Sequence, residues 1–524
     1  MIKISDVSFS YAEAENPVFR RANLELSSGE FVLVCGPTGT GKSTFLKIFN
    51  GLAPHFTAGT LTGSIEIDGQ VVSGKQPHEL AGLVGYVNQQ PEGSFVSDTV
   101  EDEIAYSLEQ LGFAPNDMQE RVRHFADLLG VGDLLAQNLT TLSGGQQQRV
   151  AIASALAAGQ KVLILDEPTS ALDPVAADEI VDLLMHLAHN EGITVLLAEH
   201  RLERVISKAD SVIVVNGDSS VNKFLPADAF KEYRLAPPIV ELSQKLGWHP
   251  LALDPRQVEK RAISADRWLA LAEPVLGETS LSAEGIVVEY GQIKAVQEVS
   301  IAARAGEVLV VMGENGSGKS SLLWALQGIG EMKGGKISTP WGDPRSMGDD
   351  RRLELIAMVP QKAADLLFLN SLSAELAESD RVAHVAPTTT ASIFAKFAGR
   401  VDPKIHPRDM SAGQQLALVL ALQLVKDAPI VLLDEPTRGL DYAAKHKLAG
   451  VIAQLQAENR CVVLASHDIE FVAQVANRIV VLQNGQVIQE GSSAELLGHN
   501  GALASQVALA LKTTGLISVS QVKE

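Results

Sequence analysis

Cysteine is nearly absent from this 524-residue chain: there are two, Cys35 and Cys461, far apart and each inside an apolar, strand-like run. A disulfide framework is therefore excluded, and both thiols read as small buried hydrophobes of a reducing compartment. Positive charge is also short. Lys and Arg number 43 against 63 Asp and Glu, a formal charge of −20, which argues against the basic surface that displaces phosphate counterions on nucleic acid. No apolar run reaches the roughly 18–20 residues that span a bilayer; one of the longest, Leu416 to Val425, is interrupted by Gln423. The first residues, Met1 to Asp6, lack a basic stretch followed by an apolar core, so no signal peptide is expected and the chain is read as soluble and cytoplasmic. Low-complexity and polybasic blocks are missing too. What is present is globular composition, 46% hydrophobic and 20% charged, at a length that suggests two or more domains.

The dominant feature is an internal repeat. Gly36 to Thr44 (GPTGTGKST) recurs as Gly313 to Ser321 (GENGSGKSS), and Leu165 to Thr169 (LDEPT) as Leu433 to Thr437. Ser143 to Gln147 (SGGQQ) recurs with one change as Ser411 to Gln415 (SAGQQ). The lysines lie 277 apart (319 − 42), the aspartates 268 (434 − 166), and two histidines 267 (467 − 200). A fixed order at a nearly constant offset means two copies of one domain. Each copy opens with alternating apolar residues (Ile2, Ile4, Val7, Phe9; Ile286, Val288) that suit strands of a mixed sheet. A fully apolar run then enters the glycine loop, Phe31 to Cys35 and Val308 to Met312, as expected of parallel strands covered on both faces. The expected division is 1–236 for the first domain, 237–278 for a helical extension of that copy plus linker, 279–500 for the second domain and 501–524 for a tail.

G-x-x-x-x-G-K-[S/T] after an apolar strand is a P-loop. Its glycines let successive N–H groups turn inward around a phosphate, and the helix that starts at the lysine aims its positive end at the same anion. The loops are Gly36, Pro37, Thr38, Gly39, Thr40, Gly41, Lys42, Ser43 and Thr44, and Gly313, Glu314, Asn315, Gly316, Ser317, Gly318, Lys319, Ser320 and Ser321. Lys42 and Lys319 are expected on the β- and γ-phosphates of ATP, with the Ser43 and Ser320 hydroxyls on Mg²⁺. Four apolar residues before Asp166-Glu167 and before Asp434-Glu435 make a buried strand that delivers two carboxylates beside the P-loop. Asp166 and Asp434 would hold the magnesium shell through water, while Glu167 and Glu435 would polarise the attacking water.

With these motifs in order, the chain resembles, in both copies and over nearly its whole length, the nucleotide-binding domain of ABC ATPases. The most specific element is Leu142 to Arg149 (LSGGQQQR), which resembles that family's signature sequence. The resemblance implies an α/β fold of two tandem P-loop NTPase domains, each with a mainly parallel sheet core, an antiparallel β subdomain and a helical subdomain. It also implies Gln89 and Gln361 as Q-loop glutamines near the ion and the reacting water. His200 and His467 match the switch histidines, and Tyr11 and Tyr290 the aromatics that stack on adenine. The D-loops are Ser170 to Asp173 and Arg438 to Asp441. In the family two domains pair head-to-tail, so a pseudo-twofold pairing within this one chain is implied, each ATP lying between one P-loop and the other copy's signature. Ser143, Gly144, Gly145 and Gln146 would thus serve the second P-loop, and Ser411, Ala412, Gly413 and Gln414 the first. Ala412 replaces a glycine and Leu416 an arginine; a methyl at a tight helix start is expected to cost backbone fit, so the site completed by Ala412 is expected to turn over more slowly.

The cargo is narrowed by one stretch. Gln89 to Ala105 (QQPEGSFVSDTVEDEIA) is similar to the energy-coupling-factor (ECF) branch of ABC importers, as is Pro237 to Gly247 to that branch's C-terminal helices. That resemblance implies a peripheral ATPase on the cytoplasmic face of the membrane, partnered by a transmembrane coupling protein and a small membrane substrate-capture protein. The imported substrate would be a vitamin, a vitamin precursor or a metal ion, with no nucleic-acid partner. Glu101, Asp102 and Glu103 are expected to form an acidic groove for a basic helix of the coupling protein, a solvated helix start being the alternative; the second copy has Ser373, Ala374 and Glu375 there. Two other readings stay open: a tandem ATPase of a monosaccharide importer, and a soluble ABC ATPase acting on ribosomes or DNA. Against the last stand the −20 charge and the absence of a long basic arm between the copies.

Overall fold

The structure is a computed structural model that describes residues 1–12, 14, 16–170, 172–232, 236–258, 268–269, 275–501, 503–512 and 515–523. Its contacts divide the chain into two units, Met1–Pro237 and Pro238–Glu524.

In the first unit, β1 (Ile2–Tyr11), β2 (Phe19–Leu26), β4 (Gly59–Ile67) and β5 (Gln70–Val71) form an antiparallel sheet in the order β2-β1-β4-β5. The apolar alternation of β1 takes a step of three between Ile4 and Val7. The register shift there, with Asp6 at φ 50°, absorbs that step and keeps all four apolar side chains inward. A six-stranded sheet carries the nucleotide-type loops: β3 (Phe31–Cys35), β6 (Val84–Val87), β7 (Val162–Asp166), β8 (Thr194–Ala198), β9 (Ser211–Val215) and β10 (Val221–Phe224), in the order β10-β9-β3-β8-β7-β6. All neighbours are parallel except β9 and β10. The core runs between the two sheets through Phe9, Phe19, Phe45 and Phe49. The helices of the unit include α1 (Lys42–Lys47), α2 (Val100–Gln110), α3 (Pro115–Leu128), α4 (Gly144–Leu156) and α5 (Pro174–His189); α2, α3 and α4 pack together as its helical part.

The second unit repeats this plan. Its antiparallel sheet is β12-β11-β14, from β11 (Thr279–Tyr290), β12 (Ile293–Arg304) and β14 (Met332–Ser338). A step of three, Ala283 to Ile286, is again absorbed by a register shift, here at Gly285 with φ 58°. The larger sheet is β15-β16-β17-β13-β18-β19, built from β13 (Val308–Met312), β15 (Ile356–Val359), β16 (Ile430–Asp434), β17 (Cys461–Ala465), β18 (Arg478–Gln483) and β19 (Gln486–Ser492). That is the strand order of the first unit, one antiparallel edge included.

Helix α6 (Pro238–Lys245) lies in the segment expected to extend the first copy, yet its partners are in the C-terminal tail. Its apolar residues Ile239, Val240 and Leu242 are buried, as are Val507, Ala508 and Val519. The Ile239 N–H donates to Gln506 Oε1 at 3.3 Å, and Lys245 Nζ to the Val519 carbonyl at 3.4 Å. Residues 259–267 and 270–274 of that segment lie outside the described residues. Among the described residues no helix is long and apolar enough to cross a membrane.

Candidate phosphate site

Each P-loop starts where a central parallel strand ends. Gly41 sits at φ 97° just before α1, and a Cβ there would come 2.0 Å from Val18 Cγ1; Gly318, at φ 101°, would meet the Ala295 carbonyl at 2.1 Å. Only glycine fits either position. Lys42 Nζ reaches back across its loop to the carbonyls of Gly36 (2.9 Å) and Pro37 (3.1 Å). Lys319 repeats this with Gly313 (2.8 Å) and Glu314 (3.0 Å), at the start of α7 (Lys319–Gln327). Both ammonium groups are therefore held over the mouth of the loop.

The acidic pair arrives from β7 and β16. Ser43 Oγ donates to Asp166 Oδ1 and Ser320 Oγ to Asp434 Oδ1, each at 3.1 Å. Burial pushes both carboxyls up, with the neighbouring Glu167 or Glu435 charge adding to it; Asp434 rises to about 6. Glu167 and Glu435 adopt left-handed backbone, φ 53° and 47°, a conformation costly for a side-chain-bearing residue and concentrated at functional sites. The strain is held by hydrogen bonds: their N–H groups donate to the carbonyls of Ala198 and Ala465 at 2.9 Å. Each glutamate meets its histidine, His200 Nε2 at 2.9 Å from Glu167 Oε1 and His467 Nδ1 at 2.8 Å from Glu435 Oε2.

A cavity of about 640 Å³ in the first unit is lined by Tyr11, residues 38–44, Glu167 and His200. Tyr11 is anchored there by its hydroxyl, 2.5 Å from Thr44 Oγ1. Gln89 bonds the glutamate of this cavity, Nε2 donating to Glu167 Oε2 at 2.9 Å. Gln361 follows β15 and is exposed, and among the described residues it forms no hydrogen bond to Glu435. Tyr290 ends β11, half-exposed.

Ser143 to Gln146 do not line that cavity of their own unit. Ser143 caps α4, accepting from the Gln146 N–H at 3.3 Å, while Gln146 Oε1 accepts from the Ser143 N–H at 2.9 Å. Ser411 and Gln414 build the same box at α10 (Ala412–Leu424), which follows α9 (Thr389–Ala398), with 3.3 and 3.0 Å. Ser143 (φ −66°, ψ 158°) and Ser411 (φ −62°, ψ 156°) are nearly superimposable in backbone. The expected cost of Ala412 to backbone fit is therefore absent: Ala412 occupies an ordinary first helical position, its methyl exposed. Leu416 is buried in the core, whereas Arg149 ties the Leu129 carbonyl (3.1 Å) to Glu179 (2.9 Å). Asp173 and Asp441 cap α5 and α11 (Tyr442–Ala457); Ala171 of the first D-loop lies outside the described residues.

One acidic residue behaves differently from expectation. Glu101 and Asp102 are exposed, but Glu103 is buried and accepts from the N–H groups of Val96 and Ser97, both at 3.0 Å. It pins the loop after Gln89 and is no part of an open acidic groove. Glu375, on α8 (Leu372–Ala383), does the same for Phe368 (2.6 Å) and Leu369 (2.7 Å). This anchor recurs in both copies while the two residues before it do not, a signal the sequence carried. Cys35 and Cys461 are buried, their thiols pushed up to about 12 by burial, which fits inert core positions.

The ABC transporter family model matches residues 19–170 and 296–438. A Streptomyces coelicolor protein, provisionally named an ABC transporter ATP-binding protein, is 41% identical over 560 residues and covers 100% of both chains. A Bacillus subtilis protein, provisionally named HMP/thiamine import ATP-binding protein YkoD, is 31% identical over 98% of this chain and 95% of its own. Among solved structures, a ribosome-bound archaeal Pelota and ABCE1 model matches with TM-score 0.62 and 22% identity, over 93% of this chain and 79% of that one; that likeness is one of fold.

Proposed function

Since this chain belongs to the ABC transporter family, as an ATP-binding, ATP-hydrolysing protein with two ATPase domains, we propose that it energises ECF-type uptake of a vitamin, a vitamin precursor or a metal ion. The observation that carries the cargo class is its similarity, over nearly the full length of both chains, to a protein named for HMP/thiamine import.

In this reading Lys42 and Lys319 bind the β- and γ-phosphates, and Tyr11 and Tyr290 lie against adenine. The Ser43–Asp166 and Ser320–Asp434 pairs, each a hydroxyl and a carboxylate 3.1 Å apart, would offer the hard oxygen donors suited to Mg²⁺. That ion supplies charge neutralisation of the transferred phosphoryl group. Glu167 and Glu435 accept a hydrogen bond from the attacking water, and His200 and His467 hold those glutamates in place. Gln89, bonded to Glu167, carries the state of the site into the loop pinned by Glu103. Within the proposal, each signature cap, Ser143 to Gln146 and Ser411 to Gln414, serves the other half's nucleotide as a second anion-binding surface.

That loop is also the proposed contact with the transmembrane coupling protein. It exposes Val96 in the first half and Phe368 in the second, beside exposed Glu101 and Asp102 in the first half only. A basic, partly apolar helix suits the first half best; the small substrate-capture protein is then reached through the coupling protein at the cytoplasmic face of the membrane. Reversing Glu101 and Asp102 to lysine is expected to release the chain from membranes that hold its partners while leaving ATP turnover of the isolated chain intact. Retention on those membranes would sink the docking surface, and recovery of the native chain with salt-washed ribosomes would sink the importer reading.

A further inference from the structure

The two histidine loops are wired differently. In the first unit Glu199, directly before His200, is 2% exposed, and its carboxylate collects three donors. The Thr169 hydroxyl donates to Oε2, and the backbone N–H groups of His200 (2.8 Å) and Arg201 (3.2 Å) donate to Oε1. Thr169 is itself buried and belongs to the loop that runs from Glu167 to the helix cap Asp173. One side chain therefore bonds both the loop that carries the histidine and the loop that leaves the glutamate. Burial pushes this carboxyl up, Glu167 adds to that, and the three hydrogen bonds oppose it.

In the second unit Ser466 takes the place of Glu199, and among the described residues its hydroxyl accepts only a local bond, from the Asp468 N–H at 3.1 Å. Thr437, in the place of Thr169, has a buried hydroxyl without a hydrogen-bond partner among the described residues. The connection is made elsewhere, by a buried ion pair of 2.7 Å between Lys445 on α11 and Asp468. A salt bridge between two side chains constrains direction less than three converging hydrogen bonds, two of them to backbone.

We propose that Glu199 is a positioning residue that locks the His200 loop to the Glu167–Asp173 loop, so that both move as one body in the first half. The proposal goes beyond the importer reading, since it concerns the ATPase step alone.

Hydrogen exchange and ATP turnover of the full chain test it. Glu199→Ala is expected to speed amide exchange at least tenfold in segment 200–204 and in segment 168–173 together. Glu199→Gln keeps an acceptor for the backbone donors and a partner for the Thr169 hydroxyl, and is expected to stay within threefold of the parent in both segments. Thr169→Val touches neither the His200 nor the Arg201 amide, yet should speed exchange in 200–204 at least threefold. Turnover by the first half, read in a Glu435→Gln background, should fall at least threefold in Glu199→Ala, with KM for ATP within twofold, and be restored by Glu199→Gln. Faster exchange confined to 168–173 in Thr169→Val, equal losses in the Ala and Gln variants, or unchanged turnover in Glu199→Ala would each overturn the lock. Should Glu199→Ala fail to fold, the Thr169→Val and Glu199→Gln arms decide alone.

Discussion

The carboxyl of Asp434 offers the most quantitative test of the site. Burial raises it from an ordinary 3.8 to about 6, so above pH 6 the folded second unit carries a desolvated charge that the unfolded chain does not penalise. At about 1.4 kcal/mol per tenfold, that charge costs about 3 kcal/mol at pH 8 in the absence of a bound cation. The sign follows from proton binding. Between pH 3.8 and about 6 the folded state holds the proton while the unfolded state has released it, so this group's contribution to stability falls as pH rises through that window. Asp434→Asn keeps the shape and removes the charge. Urea unfolding of the chelator-treated full chain, followed by a probe in the second unit, is expected to show Asp434→Asn more stable than the parent by about 2–3 kcal/mol at pH 8. The advantage should shrink to about 0.5 kcal/mol near pH 4. Magnesium with ATP should close the gap at pH 8 by stabilising the parent, while ATP turnover at this site is lost in the variant. A stability difference that does not change with pH, or a variant less stable at pH 8, would refute a desolvated carboxylate as the origin of the raised value.

Other outcomes follow from the same geometry. Glu435→Gln is expected to remove more than two-thirds of total ATP turnover and Glu167→Gln less, because the exposed Ala412 methyl stands at the helix start proposed to face the first half's nucleotide; equal losses in steady-state assays would reject this asymmetry. Glu103→Ala strands the Val96 and Ser97 N–H groups. At about 1.5–3 kcal/mol for each bond to a charged acceptor, proteolytic cutting within residues 90–98 should speed up at least tenfold, whereas Glu103→Gln should change it little. Leu242→Ala removes a fully buried side chain beneath the C-terminal tail and is expected to cost about 2–4 kcal/mol, read as a lower unfolding midpoint of the second unit.

The P-loops, the Asp–Glu pairs and the histidines were legible because phosphate chemistry demands particular residue types at short spacing, and a strand end or helix start places them whatever surrounds them. Glu103 was not. A third acid at a helix N-terminus looks like a solvated, dipole-favoured face, and only the loop folding back over it turns the side chain inward. The pairing of α6 with the tail was hidden for another reason: Ile239 and Gln506 are separated by most of the second unit, and local periodicity carries no information about a partner so distant.

Ala412 shows how the same limit works in reverse. A glycine-to-alanine difference between two copies of one box invites a backbone explanation, yet Ser143 and Ser411 open their helices with closely similar dihedrals and the same reciprocal hydrogen bonds. The first helical position accepts any residue with negative φ, so the methyl alters what the helix presents, not how it begins. Backbone equivalence at the two caps therefore moves the origin of any functional inequality to side chains: the methyl of Ala412, the Gln89–Glu167 bond that Gln361 does not repeat, and the exchange of a Glu199 hydrogen-bond clamp for a Lys445–Asp468 ion pair. Two copies with one backbone plan can diverge in turnover through these few contacts.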